Sequence, residues 1–161
     1  MHEEGLFRIS PDKMQFDFCI KQLNEGKQLA DLEKLDSFTV ASLLKKFCGQ
    51  LNPRLFSWQH FQTYCQQASD STVDLSALKV QMLAQLPKSH YELARHIFPF
   101  FNELCSFSQT NKMHSNNLAI TIGPNFFDMP LTSDSNRTLM MNSTVTSFIQ
   151  LLIENADFLF N

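Results

Sequence analysis

Glycine is scarce in this 161-residue chain, with 4, and proline is modest, with 6. Collagen-like chains and Pro/Gly-rich disordered chains are thereby excluded. Charge is also thin. Asp, Glu, Lys and Arg make up 18% of the residues, against roughly 25% in a typical soluble domain. The net formal charge is −3. A nucleic-acid groove needs a surplus of Lys and Arg on one face, so no nucleic-acid partner is expected. No apolar run approaches the ~20 residues that span a bilayer, so no transmembrane segment is expected. The opening Met1-His2-Glu3-Glu4 has no basic stretch leading into an apolar one, so no signal peptide is expected either. The four cysteines, Cys19, Cys48, Cys65 and Cys105, form no Cys-x-x-Cys. They read as free thiols of a cytoplasmic protein.

Core material is plentiful. Hydrophobic residues are 43% of the chain, and phenylalanine alone numbers 16. A chain of this length is about one domain, here residues 1–161. It buries about 70% of the surface that its unfolded form exposes, so it needs no disulfide staples.

The pattern reads as about seven helices in series, an all-α domain. Ser10 is positioned to cap the first helix with Pro11 at its first position, and Gly26 to stop it. Met14, Phe18 and Leu23 are its apolar side. The next helix begins near Asp36 or Ser37. Val40, Leu43, Leu44, Phe47 and Leu51 follow i, i+3, i+4, i+7, i+11 as its buried stripe, and Asn52-Pro53 ends it. Ser57 caps a helix carrying Trp58, Phe61 and Cys65. Asp74 caps another with Leu75, Leu78, Met82 and Leu86, which Pro87 closes. The longest spans residues 89–108, with Leu93, Ile97, Phe101, Leu104 and Cys105 along one side and a kink expected at Pro99. A short helix over 113–122 stops at Gly123-Pro124. Residues 128–136 are a loop. The last helix covers 137–153 and ends in a turn through Asn155-Ala156-Asp157. No stretch alternates convincingly, so no strand is expected.

Few kinds of catalysis fit. No G-x-x-x-x-G-K-[ST] is present, so the chain carries no phosphate-cradling loop of its own. The five histidines form no metal-binding pattern, and no metal site is expected. No Gly-x-Ser-x-Gly elbow exists. His60 and Cys65 point to different faces of one helix.

The unusual residue is Arg8, one of only four arginines. It lies in Glu4-Gly5-Leu6-Phe7-Arg8-Ile9-Ser10-Pro11, just ahead of a helix. Leu6, Phe7 and Ile9 can anchor the segment in a core while Arg8 projects. An arginine held this way suits delivery of a fixed guanidinium to a phosphate on which charge is developing.

This segment resembles the arginine loop of the Rho GTPase-activating (RhoGAP) domain family. Val40-Ala41-Ser42-Leu43-Leu44-Lys45-Lys46-Phe47 is similar to that family's lysine-bearing helix. Asn111-Lys112-Met113-His114-Ser115-Asn116-Asn117-Leu118-Ala119-Ile120-Thr121-Ile122-Gly123-Pro124 is similar to its Asn-Lys-Met…Asn-Leu-Ala…Gly-Pro signature. Leu152-Ile153-Glu154-Asn155-Ala156-Asp157 resembles its closing helix. The blocks come in the family's order and span residues 4–157.

The resemblance implies an activator of a Rho-family small GTPase rather than an enzyme. Arg8 would be the arginine finger, acting in trans. Lys45 and Asn117 would steady the finger loop and the docking surface. Pro124 and Asn125 would belong to the rim that meets the GTPase. The chain would hold no cofactor of its own, since the GTPase carries GTP and magnesium. Phe7, Ile9, Leu118 and Ile122 are expected in the core. Two departures from the family pattern stand out. Gly49 occupies the place, one turn after Lys45, where the family has an arginine that helps brace the finger loop. The family's helical segment ahead of the loop has no counterpart in the seven residues before Arg8. The alternative that these departures raise is a module that binds a GTPase, or another partner, without stimulating hydrolysis.

Overall fold

The computed structural model describes residues 1–27, 34–130 and 133–161. Among the described residues the fold is all-α. The helices are α1 (Lys13–Asn24), α2 (Ser37–Gln50), α3 (Trp58–Ser69), α4 (Leu75–Gln85), α5 (Lys88–Ser106), α6 (Ser108–Asn111), α7 (Ser115–Phe126), α8 (Ser135–Glu154) and α9 (Ala156–Phe160). Nine helices are seen among the described residues where about seven were read. The extra two are the four-residue α6 and the five-residue α9, which takes up the expected terminal turn. Two strands of two residues each, β1 (Phe56–Ser57) and β2 (Phe127–Asp128), pair in parallel, Phe56 opposite Phe127. No periodicity can announce a strand that short.

The core is built largely of phenylalanine. α5 contributes Phe98 and Phe101, which meet edge to face at 6.1 Å between ring centroids. Phe98 stacks on Phe160 of α9 at 5.2 Å. β1 places Phe56 between Phe61 of α3 and Phe148 of α8. These rings are essentially removed from solvent. Each buries ~150–250 Å² of apolar surface, so this cluster dominates the stability of the domain. α5 runs unbroken through Pro99. On α4, Leu78, Met82 and the following Leu86 are buried as their spacing requires.

Carboxylates cap the starts of α1, α2, α4 and α8. Asp36 accepts from the Thr39 N–H, Asp74 from those of Ser76 and Ala77, and Asp134 from those of Asn136 and Arg137. The α1 cap is Asp12 rather than Ser10, two residues later than expected; its carboxylate accepts from the Gln15 N–H. Ser57 precedes α3 but makes no side-chain cap. Asp128 of β2 does so instead, accepting from the Trp58 N–H at 2.6 Å. Gly26 follows the end of α1 with φ +71° and stops it as expected.

Several faces turn out otherwise than the pattern implied. On α1, Met14, Phe18 and Leu23 are exposed, and the buried residue is Cys19. On α2, Val40 and Phe47 are exposed, while Thr39, Ala41 and Cys48 are buried. α2 packs against both α7 and α1, and the Thr39 hydroxyl reaches Gln15 of α1. α7 does not stop at Gly123-Pro124 but continues to Phe126. A Cβ on Gly123 would lie 3.3 Å from Val145 Cγ1 and 3.8 Å from Ile149 Cγ1. Gly123 therefore serves the close approach of α8, not a helix end. Pro124, in the last turn, removes only one bond of the helix. α8 begins at Ser135, inside the segment expected to be loop; residues 131–132 of that segment lie outside the described ones.

Candidate functional site

The segment before α1 is a tight loop. Gly5 has φ +77°, and a Cβ there would fall 2.7 Å from Ile9 Cδ1. Only glycine suits both the conformation and the approach. The Gly5 carbonyl accepts from the N–H groups of Arg8 and Ile9, at 2.8 and 2.9 Å. Phe7 has φ +71°, a left-handed conformation unusual for a bulky residue. Its ring is buried edge to face against Phe101, at 5.3 Å. Burial of Leu6 and Phe7 holds the loop and turns Arg8 outward, where it is exposed. Ile9 does not join the core as expected. It folds over Gly5 and stays 45% exposed. The Arg8 guanidinium makes no hydrogen bond or ion pair among the described residues.

Two side chains clamp this loop. Lys45, on α2, donates from Nζ to the Phe7 carbonyl at 3.1 Å. That carbonyl belongs to the peptide bond leading into Arg8, so the bond fixes the base of the arginine. Asn111 holds the other side. It is wholly buried; its amide donates to the carbonyls of Leu104 and Met1, both at 2.9 Å, and its oxygen accepts from the Met113 N–H at 2.8 Å. The backbone carbonyl of Asn111 then accepts the Gly5 N–H at 2.8 Å. Asn111 begins the third sequence block, but no role was read for it. A lone asparagine between polar neighbours gives no sign of burial.

Asn117 is half-buried near the start of α7. Its amide donates to the carbonyl of Lys112 at 3.1 Å. It makes no bond to the arginine loop itself. Lys112 has φ +58° and follows directly on Asn111, so Asn117 ties down the turn that in turn holds Gly5. Pro124 and Asn125 lie at the far end of α7, roughly 10–12 Å further along its axis at 1.5 Å per residue. Pro124 is exposed and Asn125 half-buried. The Asn125 carbonyl accepts from Arg54 Nη1 at 3.2 Å. Gly49 is an ordinary helical residue inside α2 and not a cap, since its φ is not positive.

Burial pushes the Cys48 and Cys65 thiols up to about 12. Burial, with Glu154 close by, pushes that of Cys105 to about 11. All three are poor nucleophiles at neutral pH. Cys65 is buried while His60 is exposed, so the two do not form a pair. No group of three His, Cys, Asp or Glu side chains among the described residues is placed to hold a metal ion. No helix among them is long and apolar enough to cross a membrane.

Comparison with known proteins bears on the family and the fold. The RhoGAP domain family matches over residues 1–130. The chain is 30% identical over 166 residues to Rho GTPase-activating protein gacY of Dictyostelium discoideum, covering 98% of this chain and 22% of that protein. It is 29% identical over 174 residues to human Rho GTPase-activating protein 44, covering 99% of this chain and 20% of that one. It thus spans about a fifth of the length of these relatives. Among solved structures, the BH domain of GRAF, the GTPase regulator associated with focal adhesion kinase, superposes with a TM-score of 0.79 at 21% identity, covering 99% of this chain and 85% of that one. Human Rho GTPase activating protein 15 superposes with a TM-score of 0.83 at 16% identity, covering 99% and 76%.

Proposed function

The chain belongs to the RhoGAP domain family, and from that premise we propose that it stimulates GTP hydrolysis by a Rho-family small GTPase, with Arg8 as an arginine finger supplied in trans. The observation that carries this reading is the pairing of an exposed, uncommitted Arg8 with a clamp on the carbonyl just before it, Lys45 to Phe7 at 3.1 Å. A surface arginine without a task needs no such clamp. The left-handed Phe7 supports the same reading, because backbone strain persists where the surroundings hold it and clusters at functional sites.

The hydrolysis itself takes place in the GTPase, which brings GTP, magnesium and the attacking water. This domain contributes a guanidinium where negative charge accumulates on the transferring phosphoryl oxygens, and it excludes water around it. A finger of this kind is worth about 10³–10⁵ in rate. At ~1.36 kcal/mol per decade that is roughly 4–7 kcal/mol of barrier. Asn111 and Asn117 keep the loop's far anchor in place, and Pro124 and Asn125 form part of the surface that the GTPase meets.

The test is GTP turnover by a panel of Rho-family GTPases, with and without the domain. Faster turnover by at least one member, abolished in Arg8→Ala, is expected. Binding to GTP-loaded GTPase with no change in turnover would overturn the activating role and leave a module that only holds its partner.

A further inference from the structure

Gly49 leaves a notch in α2, one turn beyond Lys45 on the same face. The notch is occupied. A Cβ on Gly49 would lie 3.1 Å from Arg54 Nη1 and 2.9 Å from Asn125 Oδ1. The guanidinium of Arg54 thus sits where a side chain at position 49 would begin. The small parallel sheet explains how an arginine five residues away gets there. Phe56 pairs with Phe127, so the strands bring the segment that carries Arg54 alongside the end of α7, where Asn125 lies. From that position Nη1 donates to the Asn125 carbonyl at 3.2 Å. An arginine has five donors in a fixed fork, and this bond uses one of them. Arg54 remains half-buried, at the open groove between the end of α2 and the end of α7.

We infer that Arg54 is a positioning residue, which fills the Gly49 notch and locks the Pro124–Asn125 rim to α2 for docking of the GTPase. Its effect on rate rests on the activating function proposed above; its effect on the rim does not. The arginine expected on α2 itself is thereby replaced by one that enters the same space from the connection between α2 and α3. Glycine at 49 leaves room for this arrangement, because a larger residue there pushes the ends of the Arg54 and Asn125 side chains aside. An arginine placed at 49 alone crowds the existing one, so Gly49→Arg by itself brings no gain.

Three variants test this: Arg54→Ala, Gly49→Arg, and the double variant Arg54→Ala/Gly49→Arg. Each is followed by thermal melting, by amide hydrogen exchange over residues 125–128, and by single-turnover hydrolysis in the Rho-family GTPase that the parent stimulates most, at saturating domain. Arg54→Ala is expected to melt with the parent, to exchange faster at 125–128 only, and to lower the saturated rate about tenfold, short of the 10²-fold that a 1 Å misplacement can cost. Gly49→Arg alone is expected to be no faster than the parent. The double variant is expected to recover both slow exchange and most of the rate, since it returns a guanidinium to the emptied space. Recovery is the reading that a merely structural role would not produce. Unchanged exchange or an unchanged rate in Arg54→Ala overturns the inference, and so does a double variant no better than Arg54→Ala. If the parent stimulates no GTPase, the activating function fails, and exchange at 125–128 alone decides for or against Arg54.

Discussion

The two sides of this domain use apolar residues in opposite ways. In the centre, Phe56, Phe98 and Phe148 are sealed from solvent, and the Phe56 ring meets the other two. At the edge formed by α1 and α2, Met14 is 83%, Phe18 62% and Phe47 52% exposed. Polar links help to hold that edge, beside the buried Leu6 and Phe7. The Thr39 hydroxyl reaches Gln15 of α1 at 3.1 Å and Asp36 at 2.6 Å, and Lys45 holds the Phe7 carbonyl. The centre should therefore govern stability, while the edge, which carries Arg8, should govern activity at little cost to the fold.

Arg8→Ala draws that contrast most sharply. Stimulated hydrolysis should fall by about 10³–10⁵, while the melting temperature and the affinity for the GTPase stay near the parent's. Kinetics and a melt on one preparation check this; a marked loss of stability would deny the division. Phe98→Ala is the converse. It should cost about 3–5 kcal/mol of stability, read from denaturant midpoints, with stimulation per folded molecule preserved. Lys45→Ala lies between them. A charged hydrogen bond to the loop contributes about 1.5–3 kcal/mol, and its loss should fall on the saturated rate more than on association. A pure loss of affinity with an unchanged maximal rate would mean that Lys45 acts on the partner and not on the loop. Phe18→Ser should change least, within about 0.5 kcal/mol of the parent. A large destabilisation would show that the exposed face of α1 is covered in solution.

The sequence spoke clearly where one pattern has one cause. The α4 residues Leu78 and Met82, the helix start near Asp36, the cap at Asp74 and the stop at Gly26 all follow from local rules. Arg8 was legible through its anchors Leu6 and Phe7, and the Lys45 position through the resemblance. The misreadings share a reason: they depend on what lies across from a residue. Phe18 and Phe47 have helical spacing, but spacing does not say which face a neighbour covers. Gly123-Pro124 has the composition of a helix end, yet the glycine answers to Val145 on α8. The reach of Arg54 to Asn125 depends on the pairing of Phe56 with Phe127, which two-residue strands cannot advertise. Asn111 needs three backbone groups around it before its importance shows.

The buried thiols bear on how the molecule opens with time. With pKa values near 12, Cys48 and Cys65 are protonated at neutral pH as well as inaccessible. An alkylating reagent reaches either one only in molecules that have transiently come apart around it. Cys48 belongs to α2 and Cys65 to α3, so the two report on different openings in the same tube. Local openings range from nearly no cost up to that of global unfolding. A labelling time-course resolved by mass spectrometry would therefore yield two clocks, with Cys48 running ahead of Cys65 if α2 breathes while the phenylalanine cluster stays shut.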